Sequence, residues 1–270
     1  MTDFSMQRQW GPKPNYPNVR ACDWYSPHFY VIAGPCSIED PEQVIKIAAE
    51  LKKHRITFMR GGVYRAGTYP PKDGFQFKKE LFLCFVEIAK AHGLKTIVEV
   101  LDVRDIDFIA QYVDAVQIGA RHMQDYALLA EASRLGGMVV TLKRGLGSTL
   151  DEFLGAAEYL ARGNCIPILI ERGGSSILDH VRWDLSISMI PAIKKITSLP
   201  VLVDASHGTG RRDLVRAMTL AGVAAGADGF LCETHFCPEK SISDADQAYP
   251  LEKFGELLNA AMRVSEAIRE

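Results

Sequence analysis

The feature that most constrains this chain is a repeated pattern. From Phe29 onward, eight short apolar runs alternate with amphipathic segments of helical period. The runs are Phe29–Ala33, Thr57–Arg60, Thr96–Glu99, Ala115–Ile118, Met138–Leu142, Pro167–Ile170, Val201–Val203 and Gly229–Leu231. Each is too short for a helix and nearly continuously apolar, as strands buried on both faces are. Between them, Asp40-Pro41-Glu42 opens a helix to Lys53 with a capping aspartate and a proline at its first position. A long polar loop through Gln76 precedes a helix to His92, stopped by Gly93. Further helical segments are read at Arg104–Gln111, Gln124–Ser133, Thr149–Arg162, Ser188–Ile196, Arg211–Ala224 and Leu251–Ile268. Eight strand–helix units predict an α/β fold, a parallel (β/α)8 TIM barrel. The rival is a doubly wound open sheet, and no Gly-x-Gly-x-x-Gly follows the first run to support it.

The length, 270 residues, suits one such barrel over residues 29–270, preceded by an extension over residues 1–28. That extension is polar, aromatic-bearing and proline-rich, with no clear period. A net charge of −2 gives no general affinity for nucleic acid or acidic membranes. The longest apolar stretches fall short of a membrane span, and Met1–Pro27 has no signal-peptide core. A cytoplasmic enzyme is expected. The six cysteines lack paired spacing and are read as reduced.

Barrels of this kind collect their chemistry at the C-terminal ends of the strands. Those ends read Cys36, Arg60, Glu99, Gln117 with Arg121, Lys143 with Arg144, Glu171 with Arg172, Asp204 with His207, and Glu233. One charge at a strand end is an ordinary solvated loop residue; polar chemistry at all eight ends of one mouth indicates a site. Two subsets separate. Cys36, His207, Glu233 and a carboxylate from Ser243–Asp246 form a mixed thiolate, imidazole and carboxylate set suited to Mn, Fe, Co or Zn. His235 and Cys237 lie close by in sequence and are read as bystanders. Arg60, Arg65, Arg121, Lys143 and Arg172 form a basic set. Five cations at one mouth repel unless an anion belongs there, and arginine forks match phosphate and carboxylate geometry. The glycine-rich loop Asp204–Arg212 offers backbone N–H groups to a further phosphate.

Several motifs together resemble a known family. They are Gly34-Pro-Cys-Ser37, Met59-Arg-Gly-Gly62, Gln117-Ile-Gly-Ala-Arg121, Leu142-Lys-Arg-Gly145, Glu171-Arg-Gly173, Val203-Asp-Ala-Ser-His207 with Gly210-Arg-Arg212, and Glu233 with Ser243-Asp244. In this order they resemble the type I 3-deoxy-D-arabino-heptulosonate 7-phosphate (DAHP) synthases of the β subgroup, relatives of the 3-deoxy-octulosonate 8-phosphate synthases. The resemblance covers about Phe29 to the C-terminus. It implies a metal-dependent barrel that condenses phosphoenolpyruvate with an aldose phosphate and releases phosphate, at the entry to the shikimate pathway. It places Cys36, His207, Glu233 and Asp244 at metal positions. Arg60, Arg65, Arg121, Lys143 and Arg172 fall at phosphoenolpyruvate positions, and Lys143 is expected to transfer a proton. Thr68, Asp204 and Arg212 are expected on the acceptor side. A homodimer or homotetramer is implied, and no regulatory domain is expected.

One stretch departs from the family. Where the family has Lys-Pro-Arg-Thr-Ser, this chain has Arg65-Ala-Gly-Thr-Tyr69. Arg65 replaces the lysine, Gly67 stands at the phosphate-binding arginine, and Thr68 is retained. Lys72 lies in the same loop. Erythrose 4-phosphate is the expected acceptor. Arabinose 5-phosphate or another aldehyde is the alternative that Gly67 leaves open, and a non-catalytic anion-binding barrel is the reading outside enzymes.

Overall fold

The computed structural model of the chain describes residues 29–65 and 76–269. The extension over 1–28 and the loop carrying Gly67, Thr68 and Lys72 therefore lie outside the described residues.

The barrel strands are β1 (Tyr30–Gly34), β2 (Phe58–Gly61), β5 (Lys95–Val100), β6 (Ala115–Ile118), β7 (Val139–Lys143), β8 (Ile166–Glu171), β9 (Val201–Asp204) and β10 (Gly229–His235). All pair in parallel in that order, and β10 returns to β1 with Tyr30 opposite Gly229 and Gly34 opposite Glu233. That return pairing closes the sheet and disposes of the open doubly wound alternative. Closure leaves no barrel strand with an unpaired edge. A short hairpin, β3 (Tyr64–Arg65) and β4 (Gln76–Phe77), frames the loop after β2. A short strand β11 (Tyr249–Pro250) pairs beside Thr234 and His235 of β10.

The helices are α1 (Pro41–Lys53), α2 (Lys79–Ala91), α3 (Ile106–Ala110), α4 (Tyr126–Ser133), α5 (Leu150–Arg162), α6 (Met189–Ile196), α7 (Ala205–Thr209), α8 (Arg212–Ala224) and α9 (Phe254–Ala267). Asp40 caps α1 by accepting from the Gln43 N–H at 2.8 Å. Thr149 and Glu152 cap each other's backbone at the start of α5. The short strands β3, β4 and β11, the helix α7 and the end of β10 escaped the sequence. Ala205–Thr209 forms a helical turn because Asp204 caps it through the His207 N–H at 3.0 Å. Strand β10 continues to His235, past the last apolar residue, because β11 supplies its partners: Thr234 Oγ1 donates to the Tyr249 carbonyl at 2.9 Å.

The strand period of two divides the packing. Tyr30, Ile32, Phe58, Ile97, Ala115, Val139, Ile168, Ile170, Leu202 and Leu231 form one buried cluster, with a member from every barrel strand. The alternate residues, such as Val31, Ala33, Met59, Val98, Val116, Val140, Leu169 and Val203, join the layer shared with the helices. The inward parity then continues upward along each strand. Arg60 follows Phe58 by two positions, Glu99 follows Ile97, Gln117 follows Ala115, Arg172 follows Ile170, Asp204 follows Leu202 and Glu233 follows Leu231. Thus the residues that fill the barrel floor also set which polar side chains stand above it.

Candidate active site

Cys36 reaches the mouth on the turn after β1, held by backbone bonds to the end of β2. The Gly62 N–H donates to the Cys36 carbonyl at 3.0 Å, and the Ile38 N–H donates to the Gly62 carbonyl at 2.9 Å. A Cβ at position 62 would sit 2.2 Å from the Cys36 carbonyl oxygen, so this approach requires glycine. His207 comes from α7, Glu233 from the upper half of β10, and Asp244 from the segment between β10 and β11. One ligand atom from each of Cys36, His207, Glu233 and Asp244 lies within 4.8 Å of the others. Cys36 Sγ donates to Asp244 Oδ2 at 3.2 Å, and His207 Nε2 is 3.5 Å from Glu233 Oε2.

Without a cation the chain keeps this group largely uncharged. Burial, then the Glu233 and Asp244 carboxylates, push the Cys36 thiol well above its ordinary range. Burial and the neighbouring Asp244 push Glu233 up to about 8. Burial brings His207 down to about 4. Burial also opposes charge on Asp244, but His207, Cys36 and Arg182 hold its carboxyl below the usual range. Glu233 Oε1 is buried with no hydrogen-bond partner. A crowded thiol, imidazole and two carboxylates, one with an orphaned oxygen, fit a divalent cation that would replace the missing positive charge.

Beside this group stand the cations. Lys143 Nζ donates to Asp204 Oδ2 at 2.8 Å and lies 3.4 Å from His207 Nδ1. Arg60 and Arg172 each bury an Nη1 without any partner. Burial, then the neighbouring Arg121 and Arg182, bring the Arg172 guanidinium down to about 10. Arg121 sits on a short 3-10 turn, Ala120–His122, and is exposed.

Other expected residues are placed differently. Arg144 and Glu171 have the opposite strand parity from Lys143 and Arg172, and they pair with each other, Nε to Oε2 at 2.5 Å and Nη2 to Oε1 at 3.0 Å. They brace the loops after β7 and β8. Asp204 is fully buried, with its oxygens engaged by Lys143, His207 and the α7 cap. Burial opposes its charge, yet His207 and Lys143 hold its carboxyl well below the usual range. Its carboxylate is thus engaged by those two side chains. Arg212 donates to Glu239 Oε1 at 2.6 Å and to the Ala245 carbonyl, next to Asp244, at 2.7 Å. In the Asp204–Arg212 loop, the N–H groups of 207, 210, 211 and 212 donate within the protein, to Asp204, Ser206, Thr209 and Asp246. His235 stays outside the ligand group, its Nδ1 accepting from the Cys237 N–H at 2.9 Å.

Sequence reasoning missed two contacts. Arg182 Nη1 donates to Asp244 Oδ1 at 2.8 Å from a loop with no motif. Gln247 Nε2 donates to Glu233 Oε2 at 2.6 Å. The spacing of Ser243–Gln247 around a ligand was the only available signal for the second.

Fold and site together define a (β/α)8-barrel enzyme with a group of side chains that could hold a metal ion next to a cluster of buried cations. The model of the DAHP synthetase I family matches residues 26–270. A phospho-2-dehydro-3-deoxyheptonate aldolase from Thermotoga maritima is 40% identical over 243 residues, 89% of this chain and 71% of the relative. A 2-dehydro-3-deoxyphosphooctonate aldolase from a Bradyrhizobium species is 29% identical over 250 residues, 86% of each chain. The crystal structure of the Thermotoga maritima DAHP synthase superposes with a TM-score of 0.83 at 37% identity, over 89% of this chain and 70% of that one. A truncated form of that enzyme gives a TM-score of 0.81 at 37% identity, with 89% and 87% covered. The chain belongs to the DAHP synthetase I family, the barrel synthases that join phosphoenolpyruvate to an aldose phosphate. No helix among the described residues is long and apolar enough to cross a membrane.

Proposed function

We propose that this chain condenses phosphoenolpyruvate with erythrose 4-phosphate to give DAHP and phosphate. The observation that carries the reading is the pair of buried, partnerless guanidinium nitrogens on Arg60 and Arg172 beside the Cys36–His207–Glu233–Asp244 group. Phosphoenolpyruvate brings the phosphate and carboxylate that such nitrogens lack. Arg60, Arg121, Lys143 and Arg172 bind and orient it, with Arg65 assigned by its place in the family motif, as is Thr68 on the acceptor side. C3 of phosphoenolpyruvate attacks the aldehyde carbon, water adds at C2, and phosphate departs. Lys143 Nζ gives a proton to the alkoxide that forms on the aldehyde oxygen and takes one from that water, and Asp204 keeps Nζ in place. A divalent cation on the four ligands supplies Lewis-acid polarisation of the acceptor carbonyl. The family resemblance also supports a cytoplasmic homodimer or homotetramer.

Gly67 leaves a second reading, in which the acceptor is arabinose 5-phosphate or another aldehyde. Phosphate release from phosphoenolpyruvate with Mn²⁺, run against erythrose 4-phosphate, arabinose 5-phosphate, ribose 5-phosphate and unphosphorylated aldoses, separates the two. Turnover with erythrose 4-phosphate is expected. Turnover only with another aldose moves the enzyme to that acceptor, and no turnover with metal bound favours a binding barrel.

A further inference from the structure

The two carboxylates of the ligand group arrive from different places. Asp244 lies on the segment that crosses the mouth, whereas Glu233 rises from β10. Gln247 joins them. Its side chain is 2% exposed, and its Nε2 donates to Glu233 Oε2 at 2.6 Å. Its backbone N–H and that of Ala248 both donate to the Asp244 carbonyl, at 3.1 and 3.2 Å. One tight turn therefore carries a ligand on its first residue and a clamp for the other carboxylate on its fourth. The turn holds Asp244 at φ +49°, a left-handed conformation that a residue with a side chain keeps only when its surroundings impose it. The far end of the turn is tied down beside Glu233, where Tyr249 pairs with Thr234 and accepts its hydroxyl at 2.9 Å.

The chemistry of the clamp is directional. An amide NH2 only donates, so it engages a carboxylate oxygen and offers that oxygen no competing lone pair. Oε2, held by Gln247, is also the oxygen 3.5 Å from His207 Nε2, while Oε1 of Glu233 is buried without a hydrogen-bond partner. Replacing the amide with a methylene chain would free Glu233 to rotate and would cut the link between the two carboxylates.

We propose that Gln247 is a positioning residue of the metal site, fixing the Glu233 carboxylate and coupling it to the Asp244 turn before the cation arrives. The proposal rests on Cys36, His207, Glu233 and Asp244 being the ligands. Groups that orient metal ligands are worth about 10- to 100-fold in affinity.

The test titrates chelator-stripped protein with Co²⁺ and follows the thiolate-to-cobalt absorption band. Wild-type protein develops the band at one equivalent; if it does not, the ligand assignment itself fails, independently of Gln247. Gln247→Leu is expected to bind Co²⁺ about 10- to 100-fold more weakly, and the stripped protein unfolds at a lower midpoint because Glu233 Oε2 loses its donor. At saturating metal its KM for phosphoenolpyruvate is expected to match wild type, because the anion pocket is untouched. Gln247→Met keeps the volume of the side chain and serves if the leucine variant does not fold. A folded variant of either kind that binds Co²⁺ within twofold of wild type overturns the proposal. So does a loss of affinity accompanied by an equal rise in the KM for phosphoenolpyruvate, since that pattern reports a general disturbance of the mouth.

Discussion

His207 Nδ1 lies 2.8 Å from an oxygen of Asp204, three residues earlier in the chain and fully buried. The contact fixes the imidazole tautomer, with the proton on Nδ1 and the lone pair on Nε2 directed to the ligand group. Asp204→Asn keeps the cap on α7, since asparagine caps helices as well as aspartate. It removes the charge that orients His207 and holds Lys143. Metal affinity, measured by calorimetric titration, is expected to fall about 10- to 100-fold. Turnover at saturating metal stays depressed, because Lys143 has lost its anchor.

The metal-free protein is expected to lose stability as pH rises from about 6.5 to 8. Glu233 titrates at about 8 when folded against an ordinary 4.5, so between those values the folded chain holds a proton the unfolded chain lacks. That makes stability fall with rising pH. His207 titrates at about 4 when folded against 6.5, which makes stability rise with pH over that interval. The two offset up to about pH 6.5; above it Glu233 acts alone, for about 2 kcal/mol by pH 8. Urea unfolding of chelated protein across this range measures the slope. Glu233→Gln flattens it; a wild-type profile already flat above pH 6.5 would contradict the buried-acid assignment.

Arg172→Ala is expected to raise the KM for phosphoenolpyruvate about 10- to 100-fold, the worth of a charge-assisted hydrogen bond in a buried pocket. Its Nη1 has no hydrogen-bond partner in the protein while its guanidinium lies over the Trp183 ring, so the lost anion contact is read from KM and the lost packing from the urea midpoint. Arg172→Lys keeps the charge without the fork and is expected to recover only part of the loss. Steady-state phosphate release with phosphoenolpyruvate varied at fixed acceptor checks both.

Arg144 and Glu171 are expected to behave as scaffold. Arg144→Leu alone strands a buried carboxylate that also accepts from the Gly173 N–H at 2.9 Å. The cost is about 3–5 kcal/mol, read as a lowered urea midpoint. The double change of Arg144 and Glu171 to leucine removes both charges and is expected to regain part of that stability. Ligand affinities of the folded fraction should stay near wild type, which separates this pair from Arg172 one residue away.

The sequence alone determined the fold class and most of the chemistry at the mouth. Alternating strands and helices with eight polar strand ends specify a parallel barrel, because continuously apolar runs must be covered on both faces. The same pattern made Cys36, His207, Glu233 and a carboxylate from Ser243–Asp246 legible as one set, and the family resemblance singled out Asp244. Tertiary structure decided which polar residues stand free. Strand parity sends Lys143 and Arg172 upward from the barrel floor, while Arg144 and Glu171 neutralise each other. Asp204, Arg182 and Gln247 take their roles from contacts across 61, 62 and 14 residues of chain, separations at which local sequence patterns carry no signal. Whether a carboxylate near such a mouth faces substrate or is consumed by its neighbours depends on burial and on which charges the closed barrel brings alongside it, and that is set only when β10 returns to β1.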